Sequence, residues 1–148
     1  MTAPTTSILW PVLAHMTDRF AVALAGVKVS DGWPGDTEVA PEMLWCDDEI
    51  TTETTYPLAS AGRKRRNETI TYTWNIRCAE RPTRQAAHVR MSELIADVEN
   101  ECAEFVELAD IAGIVDVAVT TGRRSVLDTP DGLIGFAQVV VQVDTRLN

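Results

Sequence analysis

Between residues 67 and 79 the chain alternates strictly. Ile70, Tyr72, Trp74, Ile76 and Cys78 fall on one side, and Thr69, Thr71, Thr73, Asn75 and Arg77 on the other. Successive side chains of a strand point to opposite faces, so a period of two predicts a strand with one buried face. The β-branched and aromatic residues that fill it suit a pleated, half-buried surface. Its length and regularity place it at the centre of a sheet.

Elsewhere the period lengthens to three and four. Leu9, Val12, Leu13, Met16, Phe20 and Leu24 predict one apolar stripe on a first helix, with Ser7 as N-cap, Pro11 in the first turn and Gly26 at the end. Ala87, Met91, Leu94, Ile95, Val98, Cys102 and Phe105 predict a second helix, capped by Thr83 and finished by Ala112-Gly113. Its acids Glu93, Asp97, Glu101 and Glu104 gather on a separate, solvated face. Short strands are expected at 27–29, 43–46 and 50–56, the last ended by Pro57.

Residues 114–121 set Val115, Val117 and Val119 against Asp116, Ala118 and Thr120. Residues 135–147 set Ala137, Val139, Val141 and Val143 against Gln138, Val140, Gln142 and Asp144. Thr129-Pro130-Asp131-Gly132 between them is strong turn chemistry, so the two strands predict a hairpin. Strands in runs with segregated helices indicate α+β, a mostly antiparallel sheet of about five to six strands packed by two helices. The order is α-β-β-β-β-α-β-β. Residues 1–148 read as a single domain, with 1–6 loose and 57–66 a mobile basic hairpin loop.

Composition narrows the classes. The 148 residues fit one domain, and such a chain buries roughly 70% of its unfolded surface, enough for a core without staples. A net charge of −9 argues against a general nucleic-acid binder. Cys46, Cys78 and Cys102 are far apart and form no CxxC or Cys/His cluster. Cys78 and Cys102 fall on apolar faces and read as buried free thiols, as in a reducing compartment. The N-terminal apolar run lacks a basic flank and is broken by Pro11, so no secretory signal is expected. The tripeptide Asn67-Glu68-Thr69 is then a chance glycosylation match. No stretch approaches the ~18 apolar residues of a membrane span.

Candidate chemistry is sparse. His15 and His88 sit in helical patterns, with no His or carboxylate at a convincing ligand spacing, and read as surface or partly packed histidines. No nucleophile elbow, phosphate loop, dinucleotide fingerprint or HExxH occurs. Asp47-Asp48-Glu49 would suit a hard cation, and a small metal-dependent hydrolase is the enzymatic alternative. Contiguous acids point in different directions, however, and a solvated turn explains them more simply. Arg63, Lys64, Arg65 and Arg66 form a basic run in an acidic chain. It is either a docking loop for an acidic partner or for phosphates, or a solvated tip that keeps a sheet edge soluble. With nearby aromatics it also defines a nucleic-acid-binding alternative. Asp31, Gly32, Trp33 and Pro34 form a surface loop in which Trp33 either marks a contact surface or folds back over the first helix. Trp10 sits either in the core or outside it.

Several of these stretches recur as a pattern. Val27-Lys28-Val29-Ser30-Asp31-Gly32-Trp33-Pro34 comes after an N-terminal helix, and Met43-Leu44-Trp45-Cys46 comes about a dozen residues later. Arg65-Arg66-Asn67-Glu68 then leads into Thr69-Ile70-Thr71-Tyr72-Thr73-Trp74-Asn75-Ile76. A helix with Ala86-Ala87, Met91, Leu94-Ile95 and Val98-Glu99 is next, and a Val-rich strand closes the chain.

Over nearly its whole length this arrangement resembles the tail terminator proteins of long-tailed bacteriophages, particularly those of actinobacterial hosts. The resemblance implies an α+β virion subunit that forms a ring, usually a hexamer, at the head-proximal end of the tail tube. Such a ring stops tube polymerisation and offers the surface that joins the head. Other neck, head–tail connector and tail-completion proteins share a related fold. The implied partners are copies of the same chain, the tail tube protein and a head-completion or neck protein. Genomic DNA would pass through the channel without specific binding, and no cofactor or reaction is implied. On this basis Asp31 to Pro34 and Arg63 to Arg66 are candidate assembly contacts, the basic run meeting an acidic neighbour, and the acidic surplus is expected to line the channel.

Overall fold

The computed structural model describes residues 6–56, 66–107 and 111–147, the side chains of 105–107 excepted. Its elements are α1 (Leu9–Ala23), β1 (Lys28–Ser30), a 3-10 turn (Asp36–Glu38), β2 (Glu42–Cys46), β3 (Thr51–Thr55), β4 (Arg66–Arg81), α2 (Arg84–Glu107), β5 (Ile114–Thr129) and β6 (Gly132–Leu147). The fold is α+β, a six-stranded, mostly antiparallel sheet with two helices, in the order that the hydrophobic pattern predicts.

The sheet runs β1-β2-β4-β6-β5, with β3 also paired to β4. β2 covers the C-terminal half of one β4 edge and β3 the N-terminal half. Among the described strands only β1 and β2 are parallel. β4 is central, as expected, and extends two residues beyond the alternating stretch to Arg81. Ile70, Tyr72, Trp74, Ile76 and Cys78 are all buried. They stand opposite Val143, Val141, Val139, Ala137 and Gly135 of β6. Facing residues of an antiparallel pair share a face, so large side chains on β4 meet progressively smaller ones on β6.

Both helices pack on that face. Tyr72 Oη donates to the Leu9 carbonyl at 2.7 Å, and Phe20 meets Trp74 edge-on at 5.0 Å. Cys78 Sγ approaches the Ala87 carbonyl of α2 at 3.8 Å. Val12, Leu13, Met16 and Phe20 of α1 and Met91, Leu94, Val98 and Cys102 of α2 complete the core. Arg19 on α1 bonds Glu101 and Glu104 on α2, tying the two helices together. No helix among the described residues is long and apolar enough to cross a membrane.

Three local expectations change. First, α1 begins after Ile8, which contributes no side-chain cap. Ser7 Oγ still accepts from the Leu9 amide at 3.3 Å and donates to the buried Glu68, so it anchors the chain just ahead of the helix.

Second, β5 does not keep the Val115, Val117, Val119 alternation. A register shift between Ile114 and Asp116 turns Val115 outward, 53% exposed, and leaves Ile114, Val117 and Val119 partly buried. One extra residue in an antiparallel pair flips the side chains beyond it to the other face. Both hairpin strands also run further toward the turn than their apolar patterns do.

Third, Arg66 does not belong to the expected basic loop at 57–66. Arg66 is the first residue of β4, paired with Leu147. The other basic residues, 63–65, lie outside the described residues, as do 1–5 of the expected loose terminus and the Phe105 side chain. Thr83 caps α2 as predicted, accepting from the Ala86 amide at 3.1 Å.

Candidate assembly surfaces

With both helices on one face, the opposite face of the sheet has no helix on it among the described residues. Pairing assigns Met43, Trp45, Asn75, Arg77, Phe136, Gln138 and Val140 to that face. A shallow recess of about 190 Å³ opens there, with walls of Trp45 and Phe136. Gln138 Nε2 donates to Asn75 Oδ1 at 3.3 Å across its floor, and Arg123 and Ser125 border it.

The Asp31 to Pro34 loop sits at the corner where β1 and β2 end. Trp33 is 42% exposed. It does not fold over α1. Its ring lies edge-on to Trp45 at 5.0 Å, and its Nε1 donates to Asp36 at 3.3 Å. The Ser30 hydroxyl donates to the Gly32 carbonyl and tightens the turn. Trp10 lies outside the core, 61% exposed.

Two loops that are separate in sequence meet here. A Cβ on Gly32 would lie 3.3 Å from Asp48 Oδ1, so the acidic turn rests against the Asp31 to Pro34 loop. Burial pushes the Cys46 thiol up to about 12, and Asp47, Asp48 and Asp31 add to the shift in that order. These three acids therefore share one neighbourhood at the end of β2. The Asp47 amide donates to the Thr73 carbonyl at 2.7 Å, which fixes the turn against β4. Asp47, Asp48 and Glu49 are exposed. Among the described residues no group of three or more His, Cys, Asp or Glu side chains is placed to hold a metal ion.

The acids of α2 are not a simple solvated face. Glu101 and Glu104 meet Arg19, and Glu93 meets Arg90 at 2.9 Å. The sequence pattern misses the Arg19 pairs because they depend on which helices become neighbours. His88 is exposed, and His15 borders a shallow groove between the helices with Asp18, Arg19, Val22 and Glu101. All three cysteines are free and buried.

Glu42 at the start of β2 bonds Arg81 of β4 at 2.8 Å and Arg90 of α2. The Arg90 hydrogen bond holds its carboxyl below the ordinary 4.5 against an opposing effect of burial, with Arg81 assisting. A carboxylate whose pKa is lower when folded stabilises fully above its unfolded pKa. It loses that contribution as pH falls through the folded value. Glu42→Gln is therefore expected to lower the thermal midpoint at pH 7 and to converge on the wild type below pH 4.5, as a pH series of melting curves would register. A constant difference at all pH values would show that the carboxylate's charge is irrelevant.

No family model matches the chain, and no curated protein matches it in sequence.

Proposed function

We propose that the protein is a structural subunit of a phage virion, a tail terminator. Copies of it form a ring, a hexamer by the resemblance, on the head-proximal end of the tail tube, end its polymerisation and offer the head-joining surface. The subunit works by shape and by its borders with neighbours. The observation that carries this reading is the one-sided packing of the sheet. α1 and α2 share one face; the other carries no helix among the described residues and is covered at Met43 by the 33–41 segment, while the β5 edge, Trp33, Val39, Val115 and Leu127 are exposed. An edge strand with unpaired backbone groups is where another chain can pair or pack. Subunits that meet through two different surfaces close into rings when the rotation between them closes.

The reading also draws on the resemblance, which rests on the order of elements and on the Asp31-Gly32-Trp33-Pro34 turn. The tail tube protein and a neck protein are the partners proposed for the two rims of the ring. The acidic surplus suits a channel through which DNA slides, because like charge keeps phosphates from sticking. Glu93, Glu101 and Glu104 are engaged with arginines and are not available for that role.

Size-exclusion chromatography with light scattering tests the reading. The expected result is a discrete oligomer of integral stoichiometry, or a monomer that forms rings only when tail tubes are added. A monomer at every concentration that leaves tube growth unaltered would reject it.

A further inference from the structure

At one height the two lateral margins of the sheet carry local clusters of opposite charge. From Lys28 to Tyr56, the span that forms the β1, β2 and β3 margin, the chain has eight acids and one base, Lys28. Lys28 is already paired with Glu38 at 3.1 Å. The far margin is β5, a 16-residue strand whose one strand partner among the described residues is β6. Its ladder is interrupted between Thr121 and Arg124, and bulges of this kind re-aim side chains at sheet edges. Arg123 and Arg124 emerge there, both exposed. Arg124 donates to Ser92 of α2 at 2.9 Å, while Arg123 makes no ion pair among the described residues.

Register fixes the heights. Cys46 pairs with Trp74, Trp74 with Val139, and Val139 with Thr121. Asp47 and Asp48 therefore lie level with the arginine bulge, three strand spacings, or about 14 Å, across the sheet, with Asp31 one strand further out. A second level agrees. The Ala79 amide bonds the Pro41 carbonyl, so the chain at Val39 to Pro41 is level with the far end of β6, where Ile134 pairs with Leu127. Val39 and Leu127 are both exposed apolar residues.

The geometry points to a side-by-side, head-to-tail contact between two copies of this chain, with the Asp31–Asp47–Asp48 corner of one seated against the Arg123–Arg124 bulge of the next. Val39 of the first copy then meets Leu127 of the second. The bulge breaks the β5 edge, so the copies join through side chains rather than by extending one continuous sheet. β5 as a whole is balanced, because Asp116 and Asp128 offset the two arginines, but each copy offers one acidic corner and one basic bulge, which makes the contact heterologous and suits it to a closed ring. The contact rests on the ring reading above and names the surfaces that would form it.

A charge swap tests it. One variant carries Asp47→Arg and Asp48→Arg, and the other carries Arg123→Glu and Arg124→Glu. Each alone presents like charges at every contact, and self-association should weaken at least about tenfold. Mixed in equal amounts they offer opposite charges at every junction, so association should return in the mixture only. Sedimentation measures this, and circular dichroism confirms that each variant is folded. If the wild type forms rings and both variants form them equally well, the contact is wrong and the ring stands. Loss in both variants without recovery on mixing also overturns the contact. If the wild type never associates, alone or on tail tubes, the ring reading falls and the contact falls with it.

Discussion

Replacing Trp74 with alanine is expected to cost about 3–5 kcal/mol, the range for deleting a large buried aromatic side chain. Trp74 is fully buried at the middle of β4, where α1, β2 and β6 converge. Its ring takes the edge of Phe20, with planes at 87°, and its β-sheet neighbours are Cys46 and Val139. Alanine would leave a cavity between sheet and helix that neither rigid element can close. Phenylalanine should be far milder. The indole Nε1 is buried without a hydrogen-bond partner among the described residues, and an unmet buried donor carries a penalty of about 1–3 kcal/mol. Trp74→Phe gives up some packing but also removes that penalty, so its net cost should stay below about 2 kcal/mol. Urea denaturation monitored by far-UV circular dichroism measures both. An alanine variant within about 1 kcal/mol of the wild type would mean that the site collapses around the loss, contrary to a stiff core.

Trp74 is legible from alternation alone, and so is most of the core. A period of two fixes which face of β4 is buried, and a period of three and four fixes the stripes of α1 and α2. Tertiary packing only has to accept these faces. The misses have one common cause. Val115 turns outward because of a bulge, which depends on how β5 pairs with β6 and leaves no mark in its own residues. Residues 122–128 carry little apolar pattern because that part of β5 is an edge strand and buries little. Arg19 finds Glu101 and Glu104 across a helix–helix border that local spacing does not encode.

The surfaces are legible only in pieces. The Asp31 to Pro34 loop and the Asp47-Asp48-Glu49 turn are each visible as loops, but their adjacency depends on β1 pairing parallel to β2. The arginines at 123 and 124 carry no signal of their own in a chain whose conspicuous basic run is at 63–66. Only the ladder places them level with the acids on the opposite margin. Spacing along a chain specifies faces, whereas juxtaposition of margins belongs to topology.

Gly135 carries the other large expected effect, and it connects packing to the proposed contact. It faces Cys78 on β4 and Val126 on β5, beneath α2. A Cβ there would come within 2.9 Å of Cys78 Sγ and 3.1 Å of both Met91 Cε and Sδ. Glycine is needed at this point for closeness of approach, so that α2 can lie against the sheet. Gly135→Ala should cost about 1–3 kcal/mol, as overpacking of a filled core does, and Gly135→Val more, because its two extra methyl groups have no space to enter.

Met91 is flexible, so it can yield where the sheet cannot. In a Met91→Ala background the Gly135→Ala cost should shrink, with a coupling of about 0.5–3 kcal/mol, as expected for residues in contact. Additivity of the two substitutions within about 0.5 kcal/mol would exonerate Met91 and place the strain on Cys78. The consequence reaches the surface through α2. Ser92, next to Met91, holds Arg124 at the β5 bulge. An alanine at 135 that lifts this turn of the helix should loosen that hold, so that Gly135→Ala weakens self-association at temperatures where the subunit is still folded, and Met91→Ala in the same chain partly restores it.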